Sequence, residues 1–173
     1  AVYNQDLVLE GFNRPGKKKL KPVVLTISEV KRIAISAENL KHRLMIELAY
    51  TAGLRVSELV AVKVQHLNLE KLKMFVPGIG KLGARTTIFS AGLKDALQRQ
   101  IGNKGPDDYL FPSERGGNLT TRSVTKFFKA ALQTSGVDKE VTPHSLRQSF
   151  TAFMLAKGND KASVQSLLGC RAL

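Results

Sequence analysis

The sequence predicts a mainly α-helical domain with one small antiparallel β-sheet. Apolar residues recur at helical spacing along most of the chain, cap residues and glycines separate these stretches, and β-prone runs occur only between residues 72 and 89. The 173 residues are 43% apolar, which is enough for one domain with a full core and too few for a second complete one.

The first helix is predicted to begin at a capping-box pattern, in which Thr26 is followed three residues later by Glu29. A second helix is predicted over residues 40–51, with Gly53 as its C-terminal cap, and a short helix is expected after Arg55. The residues predicted to face the core are Val30, Ile33, Ala34, Leu44, Met45, Leu48, Ala49, Val56, Leu59 and Val60.

A β-hairpin is predicted next, from strands at residues 73–76 and 85–89. The intervening sequence PGIGKLG places Lys81 at the hairpin tip.

Four further helices follow the hairpin. They are predicted over 93–101, 120–136, 142–158 and from Asn159 or Asp160 to Gly169, and Thr142 and Pro143 form a typical helix start. The pair Phe127 and Phe128 fits core packing better than stacking on nucleic-acid bases. Core positions are also predicted at Leu93, Ala96, Leu97, Ile101, Val124, Ala131, Leu132, Leu146, Phe150, Phe153, Met154, Val164, Leu167 and Leu168.

The charge balance points to a polyanionic partner. Lys and Arg number 27 against 14 Asp and Glu, a formal net charge of +13, which favours nucleic acid over an acidic membrane surface or a merely soluble basic protein. No membrane-spanning run or signal-like start is found, so we expect a cytoplasmic protein with no membrane partner. A single cysteine and three scattered histidines predict neither disulfides nor a metal site, and we expect no cofactor.

Residues 1–22 show little helical period and are predicted to be a basic linker that precedes a domain at 23–173. The linker contains Lys17, Lys18, Lys19 and Lys21, which either form a solvated tail or lie along a phosphate backbone.

Two arginines are candidates for phosphate binding. His144 and Arg147 lie three residues apart at a helix start, where free backbone N–H groups favour an anion, although such a pair alone also fits a solvated polar face. Arg55 follows a predicted helix end, where it either presents its guanidinium to a ligand or pairs with Glu58.

These blocks occur together in an order that resembles a known family. The motifs YTAGLRVSEL at 50–59, GK at 80–81, LFPS at 110–113, TPHSLR at 142–147 and LLG at 167–169 resemble the catalytic domain of tyrosine recombinases, the phage integrase family, near its Xer-like and integron-integrase-like branches. The resemblance extends from about Leu25 to the last residue.

The resemblance implies the tyrosine-recombinase catalytic fold and site-specific DNA recombination through a covalent 3′-phosphotyrosine, without metal or cofactor. Arg55 and Arg147 would clamp the scissile phosphate, Lys81 would protonate the leaving 5′ oxygen, and His144 would assist proton transfer at the nucleophile. Glu58 would support this site.

Cys170 occupies a position where the family has His or Trp, and a thiol is a weaker hydrogen-bond donor. The resemblance also places the nucleophilic tyrosine beyond Leu173 and a core-binding domain before residue 1, and it implies a tetramer on two double-stranded DNA sites. Expected DNA contacts are Lys17, Lys18, Lys19, Lys21, Arg85 (an alternative hairpin cation), Arg122 and Arg171. The alternatives are a non-catalytic DNA-binding module of this fold and a type IB topoisomerase.

Overall fold

A computed structural model describes residues 23–78 and 83–170, and that part of the chain contains seven α-helices and a three-stranded sheet. The elements are α1 (Ile27–Ile35), α2 (Leu40–Thr51), α3 (Val56–Val60), β1 (Leu67–Asn68), β2 (Lys73–Val76), β3 (Arg85–Ile88), α4 (Lys94–Ile101), α5 (Thr121–Thr134), α6 (Pro143–Ala156) and α7 (Lys161–Leu168). Short 3₁₀ turns at Val64–His66 and Ala91–Leu93 precede β1 and α4. The predicted fold class is confirmed.

The helices begin at the predicted cap residues. The Thr26 hydroxyl accepts from the Glu29 amide, and the Glu29 carboxylate accepts from the Thr26 amide at 2.7 Å, which completes the capping box. At α7 the N-cap is Asp160 rather than Asn159, because the Asp160 carboxylate accepts from the Ser163 amide.

The sheet is antiparallel, in the order β1-β2-β3. Val76 pairs with Arg85 and Lys73 with Ile88, so the predicted hairpin strands are confirmed, whereas the two-residue strand β1 was too short to predict. Side chains alternate between the two faces of the hairpin, and Arg85 therefore points into the protein. The predicted hairpin-tip residue Lys81 lies outside the described residues.

The core forms around α2, which packs against α1, α5 and α6. Met45 and Leu48 on α2 are fully buried. Of the aromatic pair, Phe128 is buried as predicted, whereas Phe127 is half-buried and stacks on His42 with ring centroids 4.0 Å apart.

The end of α6 departs from the prediction. Phe153 and Met154, which we expected in the core, are only half-buried and line a shallow apolar groove between α1 and α6. None of the helices described in the structure is long and apolar enough to cross a membrane.

An ion pair holds the N-terminal end of α1 against the loop before α6. The Lys139 ammonium contacts both the Glu29 carboxylate (2.8 Å) and the Val24 carbonyl (2.9 Å), and so joins the loop before α6 to the start of α1. The hydrogen bond from Lys139, followed by that from the Thr26 amide, lowers the pKa of Glu29 from 4.5 to about 2.

We expect Glu29→Gln to lower the free energy of unfolding near pH 7 by up to about 1 kcal/mol, since the pair lies at the surface. The pKa of Glu29 is lowered in the folded state, so its stabilisation is present above pH 4.5 and disappears as the pH falls towards 2. Urea denaturation at several pH values measures this. The variant and the native protein should converge at low pH, and Glu140→Gln, at an exposed carboxylate, should show no such trend.

Candidate active site

The site is built on the tight corner between α2 and α3. Gly53 adopts φ +62°, and a Cβ at this position would lie 2.6 Å from the Phe150 ring and 2.8 Å from Leu168. Only glycine combines this backbone conformation with so close an approach. The corner places Arg55 at the N-cap of α3, directly before Val56, and directs the Gly53 carbonyl towards α6.

We expect Gly53→Ala to lower the free energy of unfolding by about 2–4 kcal/mol, because left-handed strain adds to overpacking. The matched control is Gly117→Ala, where φ is +67° but no atom lies within 4 Å of the added Cβ. The control should lose only the strain contribution, about 1–2 kcal/mol, in urea denaturation. Equal losses at both positions would contradict the close contact at Gly53.

Glu58, on α3, is the centre of the site. Its side chain is only 3% exposed, and its carboxylate accepts from the Arg55 amide at 2.8 Å and from the Arg55 guanidinium at 2.9 Å. Both terminal nitrogens of Arg85 donate to the same carboxylate, at 2.6 and 2.8 Å. Burial raises the pKa of Glu58, but the hydrogen bonds from Arg85 and Arg55 outweigh it, so the net pKa lies below the ordinary value.

Arg147, on α6, reaches the same carboxylate from another direction. Its guanidinium donates to the carbonyls of Gly53 and Leu168, both at 2.7 Å, and lies 3.7 Å from Glu58. Burial, followed by the positive charge of Arg55, lowers the pKa of Arg147 to about 10, so the group stays charged at neutral pH.

The third arginine, Arg85, connects the sheet to the end of α7. Its Nε donates to the Leu167 carbonyl at 2.8 Å, and its side chain packs against Gly169, where a Cβ would lie 2.8 Å from Arg85 Cδ. The residue is only 9% exposed. The sequence predicts Arg85 as a hairpin cation that contacts DNA, but its burial against Glu58 favours a role inside the protein.

The cluster carries a surplus of positive charge. Three guanidiniums surround one carboxylate, and the Arg55 side chain is 26% exposed, so this charge is open to solvent at Arg55. His144 is exposed on the first turn of α6, three residues before Arg147. Positive charge beside a helix N-terminus favours an anion such as phosphate.

The structure thus brings two of the predicted catalytic residues, Arg55 and Arg147, onto one carboxylate. Cys170 is half-buried and directly follows Gly169. The predicted site residues Lys17, Lys18, Lys19, Lys21, Lys81 and Arg171 lie outside the described residues.

Arg122, a predicted DNA contact, is exposed near the start of α5. Lys126 and Lys129 are exposed on the same helix, four and seven residues later, and therefore share its solvent face. Neither lysine was predicted as a DNA contact from sequence, although the four- and seven-residue spacing from Arg122 places all three on one helix face.

The fold and the arginine cluster define the class: a mainly helical domain in which Arg55 and Arg147 share one buried carboxylate. The family follows from comparison of the sequence. The family model described as the phage integrase family matches residues 23–172, and the chain belongs to this family.

Curated relatives include recombinases from bacteria and archaea. The chain is 34% identical to the tyrosine recombinase XerD of Listeria innocua, in an alignment that covers 90% of this chain and 56% of the relative. It is 37% identical to the tyrosine recombinase XerA of Pyrococcus horikoshii, over 95% of this chain and 58% of the relative. The chain therefore spans little more than half the length of these relatives.

Solved structures give the same result for the fold. A crystal structure of XerA recombinase superposes with a TM-score of 0.78 at 27% identity, covering 92% of this chain and 59% of that one. A λ integrase fragment, as a dimer bound to a core site, has a TM-score of 0.73 at 25% identity, covering 92% of this chain and 62% of that one. The predicted tyrosine-recombinase catalytic-domain fold is confirmed.

Proposed function

We propose that this chain is the catalytic domain of a site-specific DNA recombinase that cleaves and rejoins strands through a covalent 3′-phosphotyrosine. The observation that carries the proposal is the placement of Arg55 and Arg147 on the single buried carboxylate of Glu58. Two guanidiniums held in this way can bind the non-bridging oxygens of one phosphodiester, and they can stabilise the negative charge that develops during cleavage.

The arginines act by being fixed before the substrate arrives. Arg147 is held by two carbonyls and Arg55 by Glu58, so little reorganisation is needed when the phosphate binds. Arg147 stays charged at neutral pH, because its pKa of about 10 lies well above 7, and transition-state stabilisation requires this charge.

The proton transfers are assigned by analogy with the family. Lys81 would protonate the leaving 5′ oxygen, and His144, exposed beside Arg147, would assist proton transfer at the nucleophile. Cys170 would occupy the position of the family's second His or Trp and contribute only a weak hydrogen bond. The nucleophile would be a tyrosine downstream of Leu173 in the full-length protein.

The proposed partner is double-stranded DNA at a specific recombination site. Two solved relatives are described as bound to DNA: XerH on its difH substrate and λ integrase on a core site. The net charge of +13 and the exposed basic face of α5 support the same partner for this chain. Assembly as a tetramer on two sites, a cytoplasmic location, and a basic interdomain linker at residues 1–22 belong to the proposal.

The test is covalent capture of DNA by the full-length protein. A nicked suicide substrate that carries the cognate site should yield a protein–DNA adduct that survives denaturation, and Arg55→Ala should reduce the rate of its formation about 10²–10³-fold. Arg99→Ala, at an exposed arginine on α4, is the control and should leave the rate unchanged.

DNA binding without an adduct would instead support a non-catalytic module. Efficient relaxation of supercoiled plasmid without strand exchange between two sites would support a type IB topoisomerase.

A further inference from the structure

We propose that Arg85 is a positioning residue that couples the two phosphate-binding arginines to the end of α7. The inference rests on the proposed function and adds a residue to its machinery. Arg85 touches both parts of the site: the Glu58 carboxylate on one side and the Leu167 carbonyl on the other.

On the carboxylate side, Arg85 sets the orientation of Glu58. It is the arginine whose guanidinium engages both oxygens of Glu58, each through its own terminal nitrogen, whereas Arg55 reaches the second oxygen through its backbone amide. A bidentate pair fixes the plane of the carboxylate as well as its distance. One oxygen is then shared with the Arg55 guanidinium, and the other lies nearest to Arg147. Rotation of Glu58 would therefore displace Arg55, the more exposed of the two phosphate ligands.

On the helix side, two arginines hold two consecutive carbonyls at the end of α7. Arg85 Nε donates to Leu167 and Arg147 donates to Leu168, both within 2.8 Å. Gly169 then turns the chain in the left-handed conformation, with Arg85 packed against it. The direction in which the chain leaves α7 is thus set by the same network that orients Arg55 and Arg147.

The chemistry of this link requires arginine. A planar guanidinium holds its N–H donors in a fixed fork, and here the two terminal nitrogens serve the carboxylate while Nε serves the carbonyl. A lysine ammonium at the end of a flexible stem keeps the charge but cannot reproduce this fork. Arg85→Lys therefore removes the three-nitrogen hydrogen-bonding geometry while it keeps the positive charge.

We expect the loss of this link to slow strand cleavage with little effect on DNA affinity. Arg85 is buried, so it contributes little to the encounter with DNA. Misplacement of the reacting groups by about 1 Å can slow an enzymatic step by about 10²-fold. The expected pattern for Arg85→Lys is a cleavage rate reduced about 10–100-fold with a DNA Kd within about twofold of the native value.

The experiment has two arms. In the full-length protein, single-turnover cleavage of a nicked suicide substrate is measured beside the DNA Kd. In the 173-residue chain, whose single cysteine is Cys170, the rate of thiol labelling reports on the end of α7. Arg85→Lys should accelerate labelling severalfold at denaturant concentrations too low for global unfolding. The control is Arg43→Lys, at an arginine paired with Glu47 on the surface of α2, which should leave the labelling rate unchanged.

Native rates of cleavage and labelling in Arg85→Lys would overturn the proposal, and so would a loss confined to DNA affinity. If Arg85→Lys does not fold, Arg85→Ala supplemented with methylguanidinium replaces it, and recovery of cleavage on addition of the ion is the expected result.

If the native protein forms no covalent adduct, the proposed function fails. The labelling arm then decides by itself whether Arg85 holds the end of α7.

Discussion

Replacement of Glu58 by alanine is expected to lower the free energy of unfolding by about 3–5 kcal/mol. The carboxylate is the shared acceptor of Arg55 and Arg85 and lies 3.7 Å from Arg147, and both Arg85 and Arg147 are buried. Its removal leaves two buried guanidiniums without their counter-charge, which costs more than the loss of the hydrogen bonds alone. A loss of this size is a large part of the 5–15 kcal/mol that stabilises a typical domain.

Urea denaturation of the two proteins measures the difference. The matched control is Glu47→Ala, which removes a partly exposed carboxylate paired with Arg43 at 3.7 Å and should change stability by less than about 1 kcal/mol. The pKa of Glu58 is lowered on folding, so its contribution is present above its unfolded pKa and is lost as the pH falls below that value. A Glu58→Ala variant as stable as the control would show that the arginines do not depend on this carboxylate.

The helices and the hairpin strands could be predicted from sequence because their signals are local. Thr26, Thr142 and Gly53 mark helix ends through the chemistry of a single turn, and the apolar stripes need only the period of a helix. The predictions fail where contacts with distant parts of the chain determine secondary structure or burial. Strand β1 exists only through its pairing with β2, and Phe153 is half-buried although its spacing matches the buried face.

The site was predicted in part for the same reason. Arg55 lies just after a recognisable helix end and Arg147 lies near a recognisable helix start. The family resemblance also indicates both as catalytic candidates. The burial of Arg85 could not be predicted because it depends on the register of the hairpin, which directs the side chain inwards at the pair with Val76. Glu58 lies 89 positions from Arg147 in the chain, a separation that no local pattern spans.

Substitution of Arg55 and of Arg147, the two arginines proposed to bind phosphate, should have different effects on stability. Arg55→Ala removes a partly exposed side chain whose partner, Glu58, keeps its bidentate bond to Arg85, and we expect a loss of about 1 kcal/mol or less. Arg147→Ala leaves the carbonyls of Gly53 and Leu168 without their donors inside the protein, and we expect a loss of about 3–5 kcal/mol. Urea denaturation of both variants tests the contrast.

Their effects on cleavage should be alike, since each removes one ligand of the same phosphate. Both variants should form the covalent DNA adduct at least about 10²-fold more slowly at a temperature where Arg147→Ala is still folded. Arg55→Ala is the more informative variant, because its loss of activity cannot be attributed to unfolding. If it cleaved at the native rate, Arg55 would serve only as a partner for Glu58, and the network around that carboxylate would be structural rather than catalytic.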